Sequence, residues 1–324
     1  MDLSAMMPII YLRGLLLLLL SFSTLYSTRA LKDLFGAEDS VFASPAKGAK
    51  VYLLDTLNAT SELNWRTYSN QDEKDGWLEE TMYSRSENKN HQVYSTCNYE
   101  STHDAENWLL IPSVERGEAQ RFYLHFNFTI VRCAAVEALR TSGCKETLKL
   151  YAAQFDESEE REFVKRKNWF NETKWDYVDT LASHSTTDTA NNNQNKNERY
   201  VHFALRNTGA CSSILSVKIY YNVCPEYFSS LLHLPRTVSS RDPHGVVSVQ
   251  GRCTSNSSPV ATIIQQNSKN SQKLEKLVRR QFPALQPPTA ICKADGSWQL
   301  VGSSTECVCD QGFVVSKING MCTV

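Results

Sequence analysis

Apolar and polar positions alternate most regularly between residues 121 and 130. One face of this segment carries Phe122, Leu124, Phe126, Phe128 and Ile130, and the other carries Tyr123, His125, Asn127 and Thr129. A period of two is typical of a β-strand that packs one face on a core. The pattern therefore predicts a strand over residues 121–130, with Asn127 on its solvent face.

Two further alternating runs lie between residues 200 and 225. They are Val201/Phe203/Leu205 and Leu215/Val217/Ile219/Tyr221. Between them lies Asn207-Thr208-Gly209, and Asn and Gly tolerate the positive φ angles that turns require. We therefore expect an antiparallel hairpin whose strands each place one face on a core. Cys211 would tie this hairpin to the main domain, and Cys224 would begin the next domain.

Shorter strand-like segments fill much of the remaining chain before Cys224. They are residues 50–54, 92–94, 148–151 and 177–181. Residues 183–199 are polar and Asn-rich without alternation, so we expect a loop there. No segment before Cys224 has the apolar spacing of a long amphipathic helix. Many short strands separated by turn residues predict an all-β fold, a sandwich of about residues 50–224.

The N-terminal residues have a different character. Arg13 precedes an apolar run at residues 14–20, and the small residue Ala30 follows. This order predicts a secretory signal peptide over residues 1–30. A membrane anchor is the alternative, but the run is shorter than the ~20 apolar residues of a spanning helix. Residues 31–49 lack periodicity, and we expect a loose segment there.

The C-terminal residues change again after position 224. The cysteines lie closer together and apolar residues become fewer, which predicts small disulfide-linked modules rather than a second large core. An insertion at about residues 255–290 contains Leu274, Leu277 and Val278 at helical spacing. Arg279-Arg280 within it is interpreted as part of a solvated helix face, with a processing site as the alternative.

Composition excludes some partners and favours others. Lys and Arg number 34 against 35 Asp and Glu, and without a basic stripe we expect no nucleic-acid partner. Ten cysteines in an exported chain predict disulfides with none left over. Four Asn-x-Ser/Thr sequons fit the same compartment and predict glycosylation. They lie at Asn58, Asn127, Asn171 and Asn256.

Motifs for catalysis are absent from the sequence. There is no G-x-S-x-G, H-E-x-x-H, phosphate-binding glycine loop or kinase catalytic-loop triplet. His103-Asp104 is interpreted as a surface dipeptide rather than an acid–base pair. Cys307-Val308-Cys309 is interpreted as two disulfide halves rather than a metal site. We therefore predict a non-enzymatic binding protein without metal or cofactor, with a sugar-binding role for the tryptophans left open.

Several strings of this sequence resemble one receptor family. They are VYLLDT (51–56), ELNW (62–65), GWLEE (76–80), VYSTCN (93–98), NWL (107–109), FT (128–129), GCKETL (143–148), VDTLA (178–182), GAC (209–211), LSVKIYY (215–221) and CP (224–225). In this order they resemble the extracellular region of Eph receptors, over about residues 50–324. GCKET and TGAC are specific strings, so chance is a poor explanation.

The resemblance implies a fold and a set of disulfides. The fold is an antiparallel jelly-roll over residues 50–224, followed by a sushi-like module at 225–307 and the start of an EGF-like module at 308–324. The implied pairs are Cys97–Cys211, Cys133–Cys144, Cys224–Cys292, Cys253–Cys307 and Cys309–Cys322. Gly296-Ser297-Trp298 would be the tryptophan motif of the sushi-like module.

The resemblance also implies a function and the residues that perform it. In the family, a hydrophobic loop of an ephrin enters a channel on the sandwich surface, and the Cys133–Cys144 bridge braces the rim of that channel. The channel positions that carry over are Ser95, Thr96, Cys97, Thr129, Val131, Cys133, Cys144, Cys211 and Ser213. Arg132 is added as a candidate contact to an acidic ephrin side chain.

Three departures from the family pattern suggest that ephrin binding is altered here. Val131 stands where the family often has Arg, and Arg132 is one step along, which reverses its face on a strand. Residues 183–199 lack an apolar strand that the family usually has beside the channel. Asn127 shares a face with Thr129 and Val131, roughly 7 and 13 Å away at ~3.3 Å per residue, so a glycan there would narrow access.

Alternative functions remain open from the sequence. A secreted jelly-roll carbohydrate binder and a soluble ephrin decoy are the two main ones, whereas a secreted hydrolase is disfavoured by the missing motifs. Family members are transmembrane receptor tyrosine kinases in contact-dependent cell guidance and adhesion signalling. We therefore expect this chain to be extracellular, or at the cell surface as part of a full receptor. Self-association through the cysteine-rich region is a further expectation.

Overall fold

The structure is a computed structural model. It describes residues 47–71, 76–85, 88–97, 105–135, 137, 144–182, 188–191, 198–229, 231–259, 289–300, 307–316 and 320–324. The predicted signal peptide, nearly all of the loose segment at 31–49, and most of the 255–290 insertion lie outside these residues. So does His103-Asp104.

The N-terminal two thirds of the described residues form an antiparallel jelly-roll sandwich of two sheets. The seven-stranded sheet comprises β1 (Ala49–Asp55), β3 (Leu78–Ser84), β4 (Lys89–Thr96), β6 (Phe122–Ile130), β9 (Asp188–Asn191), β11 (Ser212–Cys224) and β14 (Thr237–Val238). Its strand order is β3-β4-β11-β6-β9, and β1 and β14 also pair with β11. The predicted all-β fold is confirmed.

The second sheet has five strands in the order β2-β5-β10-β7-β8. They are β2 (Arg66–Ser69), β5 (Asn107–Glu115), β7 (Thr147–Phe155), β8 (Asp176–Ala182) and β10 (Tyr200–Asn207). The main core lies between the sheets, and its fully buried side chains include Leu109, Leu124, Leu150, Phe203 and Ile219. The predicted alternation of 121–130 is confirmed, because the even-numbered apolar residues of β6 pack inward and Asn127 is exposed.

A short helix, α1 (Glu157–Phe163), covers the outer side of the five-stranded sheet. Phe163 packs there with Trp108, Phe155 and Trp169 in a second cluster. The sequence analysis expected β10 to bury one face only, and this was wrong. His202 and Ala204 are buried as well as the alternating apolar residues, because α1 and the residues after it cover the second face.

The hairpin predicted around residues 207–209 does not form. β10 pairs with β5 and β7 in the five-stranded sheet, whereas β11 pairs with β1, β4, β6 and β14 in the seven-stranded one. The turn therefore carries the chain from one sheet to the other. Alternation reports which face of a strand is buried, but the backbone hydrogen bonds that select its neighbours are not written in the side-chain pattern.

The loop expected over residues 183–199 contains a strand. Within it, β9 pairs antiparallel with β6, from Phe122 opposite Asn191 to His125 opposite Asp188. Its sequence, Asp-Thr-Ala-Asn, has no apolar alternation. An edge strand is held by backbone hydrogen bonds on one side and need not place side chains in a core, so the pattern did not reveal it.

Apart from β14, the strands after β11 form four small sheets in the described residues. They contain β12 (Tyr227–Ser229), β13 (Leu232–Leu234), β15 (Val246–Gln250), β16 (Arg252–Cys253), β17 (Ser257–Pro259), β18 (Thr289–Lys293), β19 (Trp298–Leu300), β20 (Cys307–Cys309), β21 (Val314–Val315) and β22 (Cys322–Thr323). Trp298 is buried in their core, and its Nε1 donates to the Pro225 carbonyl at 2.7 Å. The bounds predicted for the individual domains stay predictions.

Five disulfides join the described cysteines. They are Cys97–Cys211, Cys133–Cys144, Cys224–Cys292, Cys253–Cys307 and Cys309–Cys322, the same pairs that the resemblance implies. No described helix is both long enough and apolar enough to cross a membrane.

Candidate functional site

An open groove of about 350 Å³ lies on the outer face of the seven-stranded sheet. It is lined by Gly76, Leu78, Glu80, Ser95, Thr96, Cys97, Thr129, Val131, Cys211, Ser212 and Ser213. We call it the sheet groove. Its walls come from four strands and from a disulfide, so residues distant in the sequence meet there.

Hydroxyl groups form the floor of the sheet groove. Ser213 on β11 lies between Ser95 on β4 and Thr129 on β6 in the strand register. The Ser95 hydroxyl donates a hydrogen bond to the Ser213 hydroxyl at 3.0 Å. Three neighbouring strands thus place small neutral polar side chains side by side, which leaves room above them for an inserted segment.

Different residues bound the groove floor at its β3 side and at its β6 side. On the β3 side, Leu78 stands opposite Ser95, and Glu80 follows on the same face. On the β6 side, the Val131 amide donates to the Cys211 carbonyl at 2.8 Å. The Cys97–Cys211 bridge joins the end of β4 to the start of β11, so the groove is held by covalent and backbone bonds.

A cluster beneath the groove fixes β3 from its inner face. The Glu79 carboxylate accepts hydrogen bonds from the Leu63 amide, from the Asn64 amide at 2.9 Å and from the Tyr94 hydroxyl at 2.8 Å. Burial raises the pKa of Tyr94 well above its ordinary value, and the hydrogen bond to Glu79 raises it further. The Tyr94 hydroxyl therefore stays protonated as a donor to Glu79, and the loop before β2 is pinned to β3.

The structure brings together most of the residues that the sequence analysis assigned to the channel. Seven of them line the sheet groove: Ser95, Thr96, Cys97, Thr129, Val131, Cys211 and Ser213. Arg132, Cys133 and Cys144 do not. Their part in ligand binding stays a prediction.

The Cys133–Cys144 bridge lies just beyond the groove wall. The Cys133 amide donates to the Glu146 carboxylate at 2.8 Å. The Lys145 amide donates to the Gly209 carbonyl at 3.1 Å, which fixes the residue after Cys144 to the connection that leads into β11. The bridge thus lies outside the groove lining, and its role in bracing the rim stays a prediction.

Four residues that line the groove were not predicted as ligand-binding residues. They are Gly76, Leu78, Glu80 and Ser212. The first three lie in the string GWLEE, which was used for the resemblance alone. Had residues 78–84 been recognised as a strand, the period of two would have placed Leu78 and Glu80 on one face and Glu79 on the other. The run has too few apolar residues for that recognition, because β3 is an edge strand with most of its side chains exposed.

All four predicted glycosylation sites have exposed side chains. Asn127 lies beside the groove residue Thr129, two residues before it on the same exposed face of β6. Asn58, Asn171 and Asn256 lie elsewhere, after β1, after α1 and before β17. Glycosylation itself stays a prediction.

The chemistry of the groove is that of a binding surface. Its lining offers hydroxyls, a disulfide, two aliphatic side chains and one carboxylate. In the described ranges, no group of three or more His, Cys, Asp or Glu side chains is arranged to hold a metal ion.

Comparison with known proteins identifies relatives of this chain. The family model described as ephrin receptor ligand binding domain matches residues 51–224. Ephrin type-B receptor 3 of Xenopus laevis is 27% identical over 280 residues, which cover 83% of this chain and 25% of the receptor. Ephrin type-A receptor 4-B of Xenopus laevis is 28% identical over 288 residues, with coverages of 85% and 25%.

The chain spans about a quarter of the length of these curated relatives. Among solved structures, the CBM22-1 xylan-binding domain of Paenibacillus barcinonensis Xyn10C matches 54% of this chain and 96% of its own length. Its sequence identity is 11% and its TM-score 0.29.

Proposed function

This chain belongs to the ephrin receptor ligand-binding domain family, and we propose that it binds ephrins through the sheet groove. The observation that carries the proposal is the groove itself, an open slot built on rigid strands in the matched region. A preformed site avoids the entropic cost of ordering a loop when the ligand docks. The groove has room for an inserted segment over its small hydroxyl side chains.

The relatives also support a proposal for the biological role. We propose that the chain acts outside the cell as the ligand-binding region of an Eph-type receptor tyrosine kinase, in contact-dependent guidance or adhesion signalling. A soluble ephrin decoy is the alternative, and both roles require the same groove. Surface labelling of cells that express the natural gene separates them, because a receptor stays on the membrane and a decoy is recovered from the medium.

A binding assay tests the proposal directly. The secreted chain, with its disulfides intact, is immobilised and exposed to a panel of type-A and type-B ephrin ectodomains. We expect at least one ephrin to bind with a Kd of about 1 µM or tighter. Thr129→Arg should weaken that binding at least about a hundredfold, because a long charged side chain would fill the groove floor.

The control is chosen around the sequon that contains Thr129. Replacing Thr129 also destroys the Asn127-Phe128-Thr129 sequon, so Asn127→Gln removes the same glycan without touching the floor. Asn127→Gln should keep or improve affinity, whereas Ser213→Arg, beside Thr129 on the groove floor, should weaken it with the sequon intact. Absence of binding to every ephrin by a correctly folded chain contradicts the proposal, and so does equal loss in the Asn127 and Thr129 variants.

A further inference from the structure

Two consecutive glutamates on β3 have opposite surroundings. Glu79 faces inward, where its carboxylate accepts three hydrogen bonds from Leu63, Asn64 and Tyr94. Glu80 faces the sheet groove and is exposed. Its carboxylate has no hydrogen bond or ion pair in the part of the chain that the structure describes. Glu79 therefore has a structural role, whereas Glu80 is available to a ligand.

Glu80 is the one charged side chain among the described residues that line the groove. On the same face of β3 it lies between Leu78 and Met82, whose exposed fractions are 46% and 41%. We call Leu78, Glu80 and Met82 the β3 strip. Because β3 is the end strand of the sheet path, a ligand that enters the groove can pass over the strip without meeting a further strand of the described residues.

The β3 strip matches one kind of side chain. A ligand that covers Glu80 removes water from an unpaired carboxylate, which is unfavourable unless an opposite charge replaces that water. Lysine and arginine carry a cationic head on an apolar stem and bury the stem along apolar surface. Leu78 and Met82 offer that surface on either side of the carboxylate. An acidic ligand side chain at the same place would be repelled.

We propose that Glu80 makes the sheet groove selective for an ephrin whose docking segment presents a lysine or arginine over the β3 strip. This inference rests on the proposed function of the groove. It assigns a specificity-determining residue and the charge of the ligand that this residue selects.

Neutralising and reversing the charge of Glu80 tests the selectivity. The full chain carries Glu80→Gln or Glu80→Lys, and binding is measured with the ephrin that the wild-type chain binds best. We expect about a threefold to tenfold loss for Glu80→Gln, and a larger loss for Glu80→Lys. Raising the salt concentration should weaken wild-type binding more than binding by Glu80→Gln.

Glu162 provides the matched control. It is exposed on α1, which covers the opposite sheet, and among the described residues its one ion pair is a 3.5 Å contact with Lys165. Glu162→Gln and Glu162→Lys make the same changes in net charge and should leave affinity unchanged. A loss of the same size in both sets would mean that long-range attraction, rather than a contact at Glu80, sets the affinity, and would overturn the inference.

A charge-swap cycle identifies the partner side chain. Each basic residue of the docking segment of that ephrin is changed to Glu and tested against wild type and Glu80→Lys. We expect one such variant to bind wild type poorly and Glu80→Lys at least about tenfold better. If ephrin binds but no basic residue couples to Glu80, the inference fails while the proposed function stands. If no ephrin binds the wild-type chain, both fail.

Discussion

At the scale of single residues, His202 and Glu160 form a buried hydrogen-bonded pair that no sequence motif predicts. His202 Nε2 lies 2.7 Å from Glu160 Oε2, and the two residues are 2% and 8% exposed. The imidazole lies against the rings of Phe155 and Phe163. Burial alone would raise the pKa of Glu160, but hydrogen bonds from His202 and Ser113 and the attraction of His202 lower it below the ordinary value of a glutamate.

This pair makes stability depend on pH in a defined direction. A carboxyl whose pKa is lowered by folding stabilises the fold at pH values above its unfolded pKa, about 4.3. That stabilisation is lost as the pH falls through the lower folded pKa. We expect Glu160→Gln to lower the free energy of unfolding by about 1–3 kcal/mol at pH 7. The difference in Tm between wild type and variant should shrink below about pH 4.3.

Thermal unfolding followed by circular dichroism between pH 2 and 8 measures this difference. Glu162→Gln lies on the same helix with its side chain in solvent, and it should follow the wild-type curve throughout. Wild-type and Glu160→Gln curves that remain parallel down to the lowest pH would contradict the assignment.

At the scale of elements, the connection between β10 and β11 decides where the groove is built. Asn207 is 1% exposed, and its Oδ1 accepts from the amides of Gly209 and Ala210, each at 2.8 Å. Its Nδ2 donates to the Ala210 carbonyl and the Ser212 hydroxyl. Gly209 has a φ of 124°, which side-chain-bearing residues rarely adopt. These bonds turn the chain into the other sheet and set Cys211 beside Cys97.

Asn207→Ala should therefore destabilise the sandwich. It removes four hydrogen bonds from a buried turn and leaves two backbone amides without their acceptor, so we expect a loss of about 2–4 kcal/mol. Urea denaturation measures the loss as a lower midpoint at an unchanged m-value. Asn168→Ala is the control, since Asn168 is exposed and makes no side-chain cap bond. A loss below about 1 kcal/mol would show that the backbone alone holds the turn.

At the scale of the whole molecule, the disulfides divide into bonds that hold the fold and bonds that shape its surface. Cys97–Cys211 joins residues 114 apart in the sequence, whereas Cys133–Cys144 and Cys309–Cys322 join residues 11 and 13 apart. In the chain-entropy model the first stabilises by about 4–5 kcal/mol and each short one by under about 3 kcal/mol. Removal of the first should therefore unfold the chain.

The two short disulfides form a matched pair for a test of function. Changing both cysteines to Ser should cost similar stability at either site. Only the Cys133/Cys144 variant should weaken ephrin binding, by about tenfold, because Cys133 closely follows the groove residue Val131 and a wall without the bridge would lose more conformational freedom on docking. Calorimetry and the ephrin assay report the two effects separately. An equal loss of affinity in the Cys309/Cys322 variant would contradict the bracing role.

Side-chain patterns predicted the parts of the fold that depend on one strand at a time. The alternation of residues 122–130 determines which face of β6 is buried, and it placed Asn127 in solvent correctly. The start of helix α1 could also have been predicted from the sequence. Asp156 and Glu159 form a capping box in which each side chain bonds to the backbone amide of the other residue, and such a spacing marks a helix start. The helix is only seven residues long, so its apolar spacing gave no signal.

The sequence by itself thus determined the all-β class, the buried face of β6 and, through its resemblance, the family. Only the tertiary structure decided that β10 and β11 belong to different sheets, that polar residues form β9, and that Glu80 rather than Arg132 lies in the groove. The reason is physical. Burial of a strand face follows from its own side chains, whereas strand neighbours and groove walls depend on hydrogen bonds between segments far apart in the chain.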